Sequence, residues 1–299
     1  MSGLSLTIAG VRFEAEHSAT LRLIERDSIY QPFLEGRGDF DQRFEVAITV
    51  EPAPAQGGLP VLFDTEETWT AFEDSGDVIL RMRSVAGDSD YLWVVRLVGG
   101  ISSQFERVVI HCGTRLIENS GRPIELTNPL HYPLDQLLLM FHLPALPGVL
   151  IHAAGLARAG KGVFCAGVSG AGKTTFMRLC SGRIDLEGLS DDRVVVRQLG
   201  DRLAIYGTPW AGEGRVGANC KAEPTAVMFL HQAQRNELRQ ISPSHALQQL
   251  LATVSIPWFD KARSEAALAF CQRLVERLPC YELHFRPEPA AVELLDAVL

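Results

Sequence analysis

Gly167-Val168-Ser169-Gly170-Ala171-Gly172-Lys173-Thr174 is the segment in which residue type and spacing say most about chemistry. It fits the pattern G-x-x-x-x-G-K-[ST], in which glycines let backbone N–H groups turn toward phosphate oxygens and the helix that follows adds partial positive charge. Lys173 supplies a mobile ammonium for β- and γ-phosphates, the Thr174 hydroxyl suits a Mg²⁺ ligand, and Thr175 continues the motif into the helix. A glycine-rich turn that happens to precede a helix is the bland alternative. With four lysines in 299 residues, however, a lysine at this position is a rare choice. Beyond the loop and its helix stand Asp191 and Asp192. Phosphoryl transfer uses one acid to hold a metal and often another to accept the proton of an incoming hydroxyl. An ordinary Asp-rich turn would look the same in isolation, but the order loop, helix, Asp-Asp is Walker-B-like. Adjacent carboxylates repel, which would raise one pKa toward that of a useful base.

These side chains need a strand ahead of the loop and a helix behind it. The apolar run 162–166 leads into the glycines, and Phe176, Leu179 and Cys180 give the next segment an inward helical face. The run 149–157 precedes it across Arg158-Ala159-Gly160-Lys161, which predicts a hairpin. A strand over 194–196 follows the Asp pair. Upstream, Pro133 opens a helix with Leu134, Leu137, Leu138 and Phe141 in one stripe, ended by Pro144 and Pro147. Downstream, Ser242-Pro243 starts a helix with Leu247, Leu250, Leu251 and Val254 inward. Ala267, Phe270, Cys271, Leu274 and Leu278 make a second stripe, and 281–285 a strand.

Before residue 128 the chain reads as β. Leu4, Leu6 and Ile8 alternate with polar or small residues, as do Phe44, Val46, Ile48 and Val50. Further strands are predicted at 21–24, 78–82, 91–98 and 108–112, with 51–58 (EPAPAQGG) as a loop. The organisation is therefore a β-rich N-terminal region of unknown role, 1–127, and a second domain, 128–299.

Composition narrows the function classes. Hydrophobic residues at 46% and charged ones at 21% fit an ordinary globular chain. The net charge of −8 is uneven: residues 1–150 carry 21 acids against 11 bases, and 151–299 carry 15 against 17. A nucleic-acid partner held through phosphates is disfavoured by that balance. The uncharged run 137–157 is interrupted by prolines and histidines, so no membrane span is predicted. Six cysteines without a C-x-x-C pair read as buried free thiols, and with no secretory pattern at the start they predict a cytoplasmic protein. No N-K-x-D or L-S-G-G-Q segment is present, which argues against a GTPase switch and an ABC ATPase.

Leu150-Ile151-His152-Ala153-Ala154-Gly155, then the loop, then Leu189-Ser190-Asp191-Asp192, resembles the core of HPr kinase/phosphorylase and its relatives. The similarity continues through Gly207-Thr208-Pro209-Trp210, and Asn128-Pro129-Leu130 resembles the lead-in of HPr-kinase-related proteins, so it covers 128–299. It implies an α/β fold: a phosphoenolpyruvate carboxykinase-like P-loop kinase core with a mixed sheet, behind the β-rich region. ATP and Mg²⁺ are the implied ligands. By the resemblance Asp191 helps hold Mg²⁺ and Asp192 deprotonates the acceptor hydroxyl, an exchange of the two roles staying open, while His152 lies beside that aspartate. A hydrogen-bonded core histidine is the other reading of His152. By the same resemblance Glu213 corresponds to a second acid near the metal; Arg215 and Lys221 are candidates to meet phosphate, with a solvated surface role as the equal alternative for each. The family's Arg-rich C-terminal signature is not found, and the first 125 residues do not resemble the classical N-terminal domain.

The function these residues imply is a Mg-ATP-dependent kinase acting on a hydroxyl, a serine of a protein or peptide acceptor. A small-molecule or tailoring kinase is a second enzyme reading. A non-catalytic nucleotide-binding regulator is the reading from another class, which the Asp pair argues against because binding alone needs no base. Assembly into a homo-oligomer stays open.

Overall fold

The computed structural model describes residues 2–34, 39–83, 91–100, 107–168 and 170–299. It divides into two units, Met1–Leu138 and Leu139–Leu299. The division falls inside a helix, whereas the change of sequence character was placed at 127/128. Residues 128–135 belong with the first unit because Asn128 donates to Glu25 (3.0 Å) and the buried Tyr30 hydroxyl donates to Asp135 (2.8 Å).

In the first unit, β1 (Ser2–Ile8), β2 (Val11–His17), β3 (Leu21–Ile24), α1 (Gln31–Leu34), β4 (Gln42–Thr49) and β5 (Val61–Asp64) come first. Then follow β6 (Trp69–Asp74), β7 (Asp77–Arg83), β8 (Tyr91–Val98), β9 (Arg107–Cys112), β10 (Ile117–Asn119) and β11 (Ile124–Thr127). Eight strands form one mixed sheet in the order β1-β2-β4-β9-β8-β7-β6-β5, and β10-β11-β3 form a small second one. Alternation fixes its buried face. Leu6, Phe13 and Phe44 stand opposite one another across three strands, as do Val46, Val108, Leu97 and Val78 across four, and all are buried. Strands β3, β7, β8 and β9 match their predicted positions, while β5 (VLFD) is four residues long, buries no side chain fully and shows no period.

The division lies in α2 (Leu134–His142), whose stripe Leu134, Leu137, Leu138 and Phe141 is buried as its spacing predicts, and the second unit begins at Leu139. Its strands are β12 (Gly148–Arg158), β13 (Lys161–Ala166), β14 (Glu187–Ser190), β15 (Arg193–Leu199), β16 (Arg202–Tyr206), β17 (Lys221–Gln232), β18 (Glu237–Ile241), β19 (Val254–Ser255) and β20 (Cys280–Phe285). Its further helices are α3 (Lys173–Cys180), α4 (Pro243–Leu251), α5 (Lys261–Arg277) and α6 (Ala290–Glu293). The strands join into one nine-stranded mixed sheet, in which β13 and β20 both run parallel to β17. The chain is thus α/β with mixed sheets and few helices.

Side chains divide by parity between the two faces of this sheet. Ala154, Leu156, Val163, Cys165, Met228, Leu230, Leu283 and Phe285 face α3 and α6, packing on Phe176, Met177, Cys180 and Val292. Ile151, Ala153, Phe164, Ala166, Val227 and Phe229 face α4 and α5, packing on Ala246, Leu250, Ala267, Phe270, Cys271 and Leu274. Three layers result, each helix burying one apolar stripe. Two helix expectations are corrected. Leu179 is only half-buried and Met177 takes the inner position. Val254 lies outside α4, because the Thr253 hydroxyl donates to Leu250 O (2.8 Å) and ends the helix, releasing Val254 to pair as strand β19 with Ile151. Of the six free cysteines five are buried, but Cys220 is half-exposed. Among the described residues no helix is long and apolar enough to cross a membrane; the run 137–157 is shared between α2, a short 3-10 turn and β12.

Candidate functional site

The site is assembled by a change of partner along β12. Its first half pairs with β15, ending at His152 opposite Arg193, and its second half pairs with β13, beginning at Ala153 opposite Ala166. The second half also pairs with β14, Gly155 standing opposite Ser190. Residues 191 and 192 bridge β14 and β15, so this register sets them beside positions 152–154. The bond from Ala153 N–H to Asp192 O (3.0 Å) records that contact. On the other side, β13 ends at Ala166 and the glycine-rich loop starts at once. Histidine, Asp pair and loop therefore converge at one crossing of the sheet.

Parity along β12 sends His152 to the α3 side, with Ala154 and Leu156. Its Nε2 lies 2.9 Å from Asp192 Oδ1, and the other carboxylate oxygen lies 3.5 Å from Arg193 Nε. Burial pushes the Asp192 carboxyl up, but the hydrogen bond from His152 and the charges of His152, Arg193 and Lys173 outweigh it and hold it below its ordinary value. Repulsion within the Asp pair therefore does not raise this acid, because the two carboxylates engage different partners.

The hairpin that feeds the loop turns at Ala159-Gly160, both left-handed (φ 50° and 81°), as a two-residue turn requires. In the loop, Gly172 adopts φ 100°, and a Cβ there would lie 2.8 Å from the Phe285 ring, so only glycine fits. Ala171 N–H bonds to Val168 O (3.1 Å), and Gln232 Nε2 ties Gly170 O from β17 (2.8 Å). Phe176 N–H to Gly172 O (2.8 Å) opens α3, which leaves the N–H groups of Lys173, Thr174 and Thr175 without partners inside the helix. Lys173 is buried, and its Nζ donates to Gly167 O (2.6 Å) and Val168 O (3.3 Å). Burial lowers its pKa; Asp192 opposes that shift and Arg193 adds to it. Ser169, also assigned to the loop by sequence, lies outside the described residues.

A cavity of about 350 Å³ opens over this constellation, lined by His152, Gly170, Gly172, Lys173, Thr174, Thr175, both aspartates, Gly212, Glu213 and Gln232. Asp191 is buried and accepts three backbone N–H groups: Gly212 (2.9 Å) and Val216 (3.3 Å) on Oδ1, Gly214 (2.7 Å) on Oδ2. Glu213, between the two glycines, is 85% exposed and points a carboxylate within 4.0 Å of Arg178 Nη2. Arg215 turns through φ 55° in the same loop, is exposed, and is not among the cavity residues. Lys221 stands apart from the site: it lines a different cavity with Gly160, Arg202, Ala204 and Glu223, because position 221 is the start of β17 and the loop lies near that strand's far end, at Gln232. Sequence reasoning missed Gln232 and Arg193. The second adjoins the Asp pair and was open to notice; the first has no local signal.

Among the described residues, no three His, Cys, Asp or Glu side chains form a metal-holding group. The donors present on the cavity wall, Thr174 and Glu213, suit a hard cation that takes most of its ligands from phosphate and water, as Mg²⁺ does. No protein-family model matches the chain, and no curated protein matches it.

Proposed function

We propose that the second unit binds a Mg-nucleotide at the glycine-rich loop and transfers its terminal phosphoryl group to a hydroxyl, that of a serine in a protein or peptide acceptor. The observation that carries the reading is the His152–Asp192 pair, 2.9 Å apart, on the wall of the cavity at the N-terminus of α3. A bare phosphate-binding loop needs no such pair. The phosphoenolpyruvate carboxykinase-like kinase core, and ATP as the nucleotide, belong to this proposal by the resemblance of 128–299; the loop entering from a hairpin into a mixed sheet supports the first.

In this reading the N–H groups that open α3, together with Lys173, neutralise the phosphates. Bound Mg²⁺ would supply charge neutralisation across the phosphoryl oxygens, with Thr174 and Glu213 as its protein ligands. Asp192, ionised at neutral pH, accepts the acceptor's hydroxyl proton, and His152 Nε2–H holds the carboxylate toward the cavity.

Asp192→Asn keeps the shape of the side chain and removes the base. Phosphoryl transfer from Mg-ATP to acceptors in a cell extract should fall by about 10² to 10⁴, while nucleotide affinity by calorimetry changes little. Full transfer by this variant overturns the base assignment. A parent protein that binds nucleotide but transfers to no protein, peptide or small hydroxyl acceptor leaves the nucleotide-binding regulator in place of the kinase.

A further inference from the structure

Asp191 was expected to be a metal ligand, yet its surroundings describe another task. A carboxylate has about four lone-pair directions, and three of these are occupied by N–H groups of the 212–216 loop. The loop is shaped around it from the other side as well. A Cβ on Gly214 would lie 2.6 Å from Asp191 Oδ2, and one on Gly212 would lie 3.3 Å away, so the sequence Gly-Glu-Gly is what lets backbone reach the carboxylate. The neighbouring backbone is paired too, Ala218 N–H to Leu189 O (2.9 Å) and Asp191 N–H to Val216 O (3.3 Å). Between the two clasped glycines, Glu213 faces the cavity almost fully exposed.

We propose that Asp191 is a positioning residue: its buried carboxylate clasps the 212–216 loop and thereby presents Glu213 to a divalent cation carried on the phosphates of a bound nucleotide. The presentation of Glu213 rests on the nucleotide reading above; the clasp does not. In exchange terms, three charge-assisted hydrogen bonds should protect the amides of Gly212, Gly214 and Val216.

Hydrogen exchange on the ligand-free protein tests the clasp without any activity. Asp191→Asn replaces one acceptor oxygen by a donor that opposes an N–H, so exchange at the remaining clasped amides should rise at least about tenfold, while amides of α5 stay unchanged. Gly214→Ala approaches the same contact from the loop and should speed exchange at Gly212 and Val216, which keeps the test available if the first variant does not fold. Unchanged protection of the loop in either folded variant overturns the clasp. A magnesium titration of nucleotide binding tests the presentation: Glu213→Gln should raise the Mg²⁺ half-saturation about tenfold. A rise in half-saturation for Asp191→Asn with the loop still protected would make Asp191 the ligand and overturn the proposal. Should the parent bind no nucleotide, the nucleotide reading falls and the exchange experiment still decides the clasp.

Discussion

Lys173 is held by the loop it belongs to. Its ammonium is buried against the carbonyls of Gly167 and Val168, where burial already disfavours the charged form. A phosphate would offer it full negative charge in place of two carbonyl dipoles. Lys173→Ala should therefore weaken nucleotide binding by about 2 kcal/mol, roughly thirtyfold in Kd, as read by calorimetry. Equal affinity would remove the lysine from the site. The loop, the lysine and the Asp pair were legible because each residue type has a chemical reason at its spacing. The different partners of the two carboxylates were not, because adjacency in sequence says nothing of which N–H groups a folded loop will bring to which of them.

Among the elements, β12 does the most positioning. Its eleven residues serve β15 and β19 with one half and β13 and β14 with the other. Gly155 sits where that crowding is greatest: a Cβ would lie 2.7 Å from Val194 Cγ1 and 3.1 Å from Leu189 Cβ. Both neighbours are buried, and neither atom is the far end of a flexible chain. Gly155→Ala should cost about 1 to 3 kcal/mol by overpacking, measured as a lower urea midpoint at unchanged slope. A neutral substitution would mean the strands can spread here. The hairpin and the helical stripes were readable from periodicity, since one buried face leaves a period of 2 or 3.6. The pairing of β12 with β15 and β19 was not, because partners distant in sequence leave no local pattern.

At the scale of the whole molecule, acid should act through His142 first. It is buried, and burial, with the charges of Arg263 and Arg197, lowers its pKa to about 4. Between pH 6.5 and about 4 the unfolded chain takes up a proton that the folded chain refuses, so stability falls as pH falls across that window, by up to about 3 kcal/mol. Glu282 adds a second loss at lower pH. Burial pushes its carboxyl up, but bonds from His284 and Gln249 and the charges of His231 and His245 prevail and hold it below its ordinary value. Its contribution is present above the ordinary glutamate range and disappears as pH drops through the folded pKa. Urea midpoints measured from pH 7 to 4 should decline, and His142→Leu should flatten the decline; a flat profile in the parent would contradict the burial of a neutral imidazole.

The six cysteines carry one last consequence. Burial lifts every thiol, Cys280 to about 11, Cys112, Cys180, Cys220 and Cys271 to about 12, and Cys165 further. At neutral pH fewer than about one thiol in ten thousand is then a thiolate, the form that alkylating dyes attack. The five buried thiols are shielded twice, by burial and by protonation, whereas Cys220 is half-exposed, so a single thiol placed on the surface, for instance by Ile184→Cys, would carry a fluorophore alone once Cys220 is replaced.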